Sequence, residues 1–227
     1  MANPEHVDLL QQGAAAIADW RSAHPDERLD LEKTDLTGIV LRDADLHGAR
    51  LHEARMDGAD LRGANLQHAG LRDTQLVAAN LAGAHLQHAR LVKTNLIRAT
   101  LTSALFCRAH LHGAYLQEAD LQHANLRDSY LLWTSLIGAR LNGANLRRAE
   151  MQWANLQNAD LSHADLREVN LHEAVLGHTI FTHTNLSDAA NLETCRHLAP
   201  SQLDAGTLVQ SGPLPAAFIQ GCGWEGC

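Results

Sequence analysis

Aromatic residues make up only 4% of this 227-residue chain, three Phe, two Tyr and four Trp, so its core is not built from packed rings. Long apolar runs are also missing. None approaches the about 18 residues needed to span a bilayer, which excludes a membrane helix. The amino terminus has no basic region followed by a hydrophobic core, so no signal peptide is expected and a soluble cytoplasmic protein is. The four cysteines, Cys107, Cys195, Cys222 and Cys227, are too few and too unevenly spaced for a disulfide framework. Cys222 and Cys227 flank Gly-Trp-Glu-Gly, where a disulfide or a metal site is the alternative to free thiols. There is no Gly-rich phosphate loop, no HExxH and no nucleophile elbow, so neither catalysis nor a cofactor is expected.

What the chain does have is leucine at every fifth residue. From Leu31 to Leu186 the register holds 32 positions without insertion or deletion. Twenty-eight are Leu and the others are Met56, Phe106, Met151 and Phe181. Two residues before each sits Ala in 22 cases, Thr in six and Ser129 once; the exceptions are Leu29, Ile39 and Val169. An α-helix would rotate successive leucines by about 140° and bury no single face. A continuous strand would send them to alternate faces. The pattern needs a short extended piece and a bend that resets the phase, with the central residue and the one two before it pointing inward.

The bends have suitable residues. Gly lies two after the central residue at eight positions, from Gly38 to Gly143, where a turn needs permissive φ. Asp or Asn immediately precedes the central residue in 15 of the 32 units, and these side chains bond readily to nearby backbone. Short-period repetition of this kind predicts a solenoid whose units bury their apolar side by stacking.

Ala-(Asp/Asn)-Leu-x-x, as in Ala44-Asp45-Leu46, Ala64-Asn65-Leu66 and Ala119-Asp120-Leu121, resembles the signature of the pentapeptide-repeat family over about 160 residues. The resemblance implies an all-β solenoid, a right-handed quadrilateral β-helix with four pentapeptides per coil and about eight coils. With coils about 4.8 Å apart, the rod would be roughly 35–40 Å long.

Three segments follow: 1–28, a capping helix; 29–188, the β-helix; and 189–227, a cap and tail. Asn3 is placed to N-cap a helix with Pro4 at its first position, and Val7, Leu10, Ala14 and Ile17 form one apolar stripe. That stripe covers the first coil or, alternatively, binds a partner. At the far end Ala190-Asn191-Leu192 keeps the motif one residue out of phase, and Leu198 to Leu208 is expected to form a short helix over the last coil.

Four units per coil would stack residues 20 apart, which turns the sequence into a surface map. Trp133 and Trp153 become neighbours at one corner, with Tyr115, Tyr130, Leu132, Ile97 and Ile137 on the two sides meeting there. Clustered exposed apolar and aromatic residues mark an interface. The expected function is therefore a rigid scaffold for a protein partner, most simply itself as a symmetric homodimer. Local packing of the Trp rings on the corner is the bland alternative. The same map pairs His163 with His183, with His123 two coils away, and His68 with His88, but no cysteine or carboxylate cluster completes a metal site.

Some family members mimic duplex DNA, bind DNA gyrase and protect it from quinolones, so gyrase modulation is the alternative function. The charge distribution argues against it. Net charge is −8, yet residues 30–188 hold 18 acidic and 15 basic residues, and no acid lies between Thr74 and Gln117, where Arg90, Lys93, Arg98 and Arg108 are basic. A mimic needs continuous negative potential. The loops that interrupt the coils of several gyrase-protecting members are missing. Direct nucleic-acid binding is not expected.

Overall fold

The structure, a computed structural model, describes residues 2–224. The 29–188 segment is a four-sided coil. Parallel bridges link residues 20 apart, from Asp30 with Arg50 to Asn170 with Ala190, one bridged residue per side. Along the rod, the amide of each central residue donates to the next coil, as Leu96 N to Tyr115 O at 2.7 Å. The amide before the central residue donates backward, as Tyr115 N to Thr94 O at 2.9 Å. The central residues and nearly all their partners two before are buried, and form one column of Leu and Ala.

The corners explain the period. The residue three after the central one donates back across a turn, as Ala99 N to Leu96 O at 3.0 Å, at every corner but the one after Leu176. The residue two after it has positive φ at all 32 corners, eight Gly and 24 others. Positive φ at that turn position alone defines a type II turn. Asp and Asn before the central residue brace the bend as anticipated: Asp45 Oδ1 accepts from His47 N at 3.1 Å and Asn145 Oδ1 from Arg147 N at 3.1 Å.

At the amino end the structure has two helices where one was expected, α1 (Pro4–Gln11) and α2 (Ala14–Ala23). Asn3 caps α1 through Glu5 N, with Pro4 in the first turn, as read from the sequence. Gly13, at φ 90°, breaks the pair and lets α2 fold back beside α1. Leu10 and Ile17 are buried in the same core as the coils. Arg21 donates from its guanidinium to the carbonyls of Glu27 (2.7 Å), Asp45 (3.3 Å) and His47 (2.6 Å).

At the other end the coil continues in a looser form. β1 (Val175–Leu176) pairs with β2 (Arg196–His197), a spacing of 21, and Ile180 bridges Gln202, a spacing of 22. The expected helix at 198–208 is displaced, because Leu198 and Gln202 are still hydrogen-bonded to the last coil. α3 (Ala205–Ser211) begins only after its N-cap, Asp204. The N-cap and helix side chains satisfy amides that a further coil would have met: Asp204 Oδ1 accepts from His183 N at 3.0 Å and Ser211 Oγ from Leu186 N at 2.9 Å, while Thr207 Oγ1 accepts from the turn amide of Thr184 at 3.1 Å. α4 (Ala216–Gly221) buries Phe218 against Phe181, with ring centroids 5.7 Å apart.

Candidate interaction surface

Trp133 and Trp153 occupy consecutive turns of one corner, at φ 59° and 57°. Their rings stack at 4.7 Å with an interplanar angle of 7°. The edge of His172 closes the far side of Trp153 at 5.5 Å and 82°. The near side of the stack is open, since the preceding corner is Gly113, and Trp133 is 63% exposed. A bulky side chain at positive φ costs roughly 1–2 kcal/mol, which the surrounding coil enforces here.

Tyr130 does not join that stack. Its ring turns toward the previous coil and lies on His110 at 4.8 Å and 15°, with His112 at 6.0 Å. Leu132 and Ile137 are half-buried on either side of the Trp133 corner, Ile97 is half-buried two coils before Ile137, and Tyr115 is exposed. The seven residues therefore share two adjoining sides, but they divide into a Trp stack and a Tyr–His stack flanking Leu132. His110 and His172 were missed by the sequence map, which puts His112 in the column between Val92 and Leu132 without assigning it to the patch. Spacing would have found His110, which lies 20 residues before Tyr130. Partial burial, His112, Arg90 and His88 together push the His110 imidazole below its ordinary range, so the ring against Tyr130 is neutral near pH 7.

Charge around the surface is mixed. Arg98 pairs with Glu118 at 2.7 Å and Arg140 with Asp120 at 3.3 Å. Among the described residues Arg90, Lys93 and Arg108 have no carboxylate within 4.0 Å. The histidine columns stand where the map put them, His163 on His183 at 5.0 Å and His68 on His88 at 4.9 Å. Among the described residues no group of three or more His, Cys, Asp or Glu is arranged to hold a metal. A link between Cys222 and Cys227 involves a residue outside the described ones.

The family model for pentapeptide repeats matches this sequence in eight copies between residues 27 and 188. The chain belongs to the pentapeptide-repeat family. That family folds as a right-handed quadrilateral β-helix, and the 20-residue bridges here are its four-sided coils. A comparison with curated proteins finds no match. Among solved structures, the chain is similar to HetL, a pentapeptide repeat protein involved in heterocyst differentiation regulation in the cyanobacterium Nostoc sp. The identity is 28%, covering 83% of this chain and 96% of that one, with a TM-score of 0.39. It is also similar to a trypsin-treated form of QnrB1, a plasmid-mediated fluoroquinolone resistance protein, at 18% identity over 79% of this chain and 88% of that one, TM-score 0.62. A second trypsin-treated form gives 18% identity, 76% and 82% coverage and a TM-score of 0.57. The QnrB1 likeness is one of fold.

Proposed function

We propose that this pentapeptide-repeat protein is a non-catalytic cytoplasmic scaffold that self-associates through the Trp133–Trp153 corner. In this reading segments 1–28 and 189–227 close the open ends of the rod. The carrying observation is the Trp133 ring, 63% exposed and held flat on Trp153 at a corner where most neighbours are small, charged or polar. Large rigid aromatic faces are typical anchors of protein interfaces. Tyr130, Leu132 and Ile137 extend the surface along the same sides, and a symmetric pair would bring each patch onto its own copy. No helix among the described residues is long and apolar enough to cross a membrane.

The test is mass by light scattering across micromolar concentrations. The native protein is expected as a dimer and the Trp133→Lys/Trp153→Lys variant as a folded monomer with the same circular dichroism. A native protein that is monomeric throughout, or a double variant that dimerises equally well, overturns the reading. Gyrase modulation is not favoured, because the unpaired Arg90, Lys93 and Arg108 interrupt any continuous negative potential. A supercoiling assay with and without quinolone at micromolar protein distinguishes the two readings, and protection of gyrase would reverse the choice.

A further inference from the structure

A shallow hollow of about 350 Å³ lies on the edge where the fourth side of one coil passes into the first side of the next. Its cause is a missing side chain. Arg50, Gly70 and Arg90 are bridged in one outward column, so Gly70 leaves a gap between two arginines. The His52 ring leans over the glycine, close enough that an added Cβ would collide with it. Arg28 lies alongside Gly48, its Nε 3.7 Å from where a Cβ would stand, an ordinary contact distance. The outer wall is the parallel pair His68 and His88.

The electrostatics of the hollow are one-sided. No carboxylate is among its lining residues. Arg50 is engaged by Glu32 at 2.8 Å and Asp30 at 3.8 Å, whereas Arg28 and Arg90 have no carboxylate within 4.0 Å among the described residues. His52 Nδ1 is buried and has no hydrogen-bond partner. Arg50 and Arg90 are two coil spacings apart, about 9.6 Å, which lets both guanidinium groups reach one phosphate between them. Guanidinium groups match phosphate oxygens in a bidentate way. The volume falls at the lower end of small-ligand pockets, about 300–1,000 Å³, and exceeds the needs of a bare anion.

We propose that this hollow binds a phosphorylated small molecule, with its phosphate on the outer side of the His52 ring between Arg50 and Arg90, and with Arg28 at the rim. The site lies on a different edge from the Trp133 corner and does not depend on self-association. Titration calorimetry at low salt, with inorganic pyrophosphate and ADP as probes, tests it. One saturable site is expected per chain. Arg90→Ser should weaken binding about tenfold or more, the loss expected for one charge-assisted pair. Gly70→Arg restores the side chain found at positions 50 and 90 and adds positive charge, yet should abolish binding by filling the hollow. Gly70 has ordinary φ and the only atoms in the way of a Cβ belong to the His52 side chain, so the variant folds once that ring swings aside. ADP binding at least as tightly as pyrophosphate supports a small-molecule ligand. Absence of saturable binding to the native protein overturns the proposal. So does a Gly70→Arg variant that binds as well as the native chain, or pyrophosphate binding without ADP binding.

Discussion

The buried hydroxyl of Thr134 donates to the carbonyl of Leu111, 23 residues earlier, at 2.9 Å. Thr74, Thr94, Thr179 and Thr184 do the same to Leu51, Leu71, Leu156 and Leu161. Twenty-three residues are one coil plus one turn, so a threonine in the small-residue position stitches its coil to the one before. Thr34 lies in the first coil, has no coil before it to supply a carbonyl, and its hydroxyl is buried without a partner. Thr134→Val is expected to cost about 0.5–1.5 kcal/mol, the net worth of one hydrogen bond. Thr34→Val should be neutral or stabilising, because it removes an unsatisfied polar group. Urea denaturation of the two variants decides this, and equal destabilisation contradicts it.

Arg21 holds three carbonyls at the start of the rod from a side chain that is only 11% exposed. Arg21→Met keeps the apolar stem and removes the donors. It should cost about 2–4 kcal/mol, since bonds to a charged donor exceed neutral ones. Hydrogen exchange should then accelerate first in residues 29–48, while exchange in residues 109–148 stays slow.

Trp133→Gly separates stability from association. It removes a stacked pair worth about 0.5–1.5 kcal/mol and relieves a positive-φ cost of similar size. The melting temperature should therefore move little while the dimer is lost. A large fall in melting temperature would mean that the Trp stack serves packing rather than contact.

The carboxyl of Asp204 would be raised by burial, but bonds from His183 N and from Thr207 hold it at about 2. Its unfolded value is about 3.9. A lowered folded value stabilises the native state above pH 4, and that contribution disappears as pH falls toward 2. Protection of the Thr184 and Leu186 amides, which α3 covers, should decline over this window. Asp204→Asn should remove that pH dependence at this end of the rod.

Much of the coil could be read before the structure was known. Strict spacing identified every inward residue from Leu31 to Leu186, and the family resemblance supplied four units per coil, which places Trp133 on Trp153. Two features escaped. Gly13 splits the amino-terminal helix, because an apolar stripe with helical spacing is preserved across a break that only backbone geometry reveals. The loose coil at 189–204 was hidden by spacings of 21 and 22, which destroy the period that made everything else visible. Tyr130 was assigned to the right side of the rod but with the wrong neighbours. Position fixes where a side chain starts, whereas His110 and His112 decide where its ring lies.

The left-handed corners set a minimum length for this molecule. Every coil carries four of them, most without glycine, so the conformational cost rises in proportion to the number of coils. The hydrogen bonds and buried Leu faces that offset it arise between coils, and their number is always one fewer. Growth of the rod is therefore a nucleation problem, like helix initiation, in which one or two coils are unstable and each later addition is favourable. Trimming should lower stability by a similar amount for each coil removed and then, at the critical size, abolish folding. Fragments below that critical size should remain unfolded even though each repeat is intact.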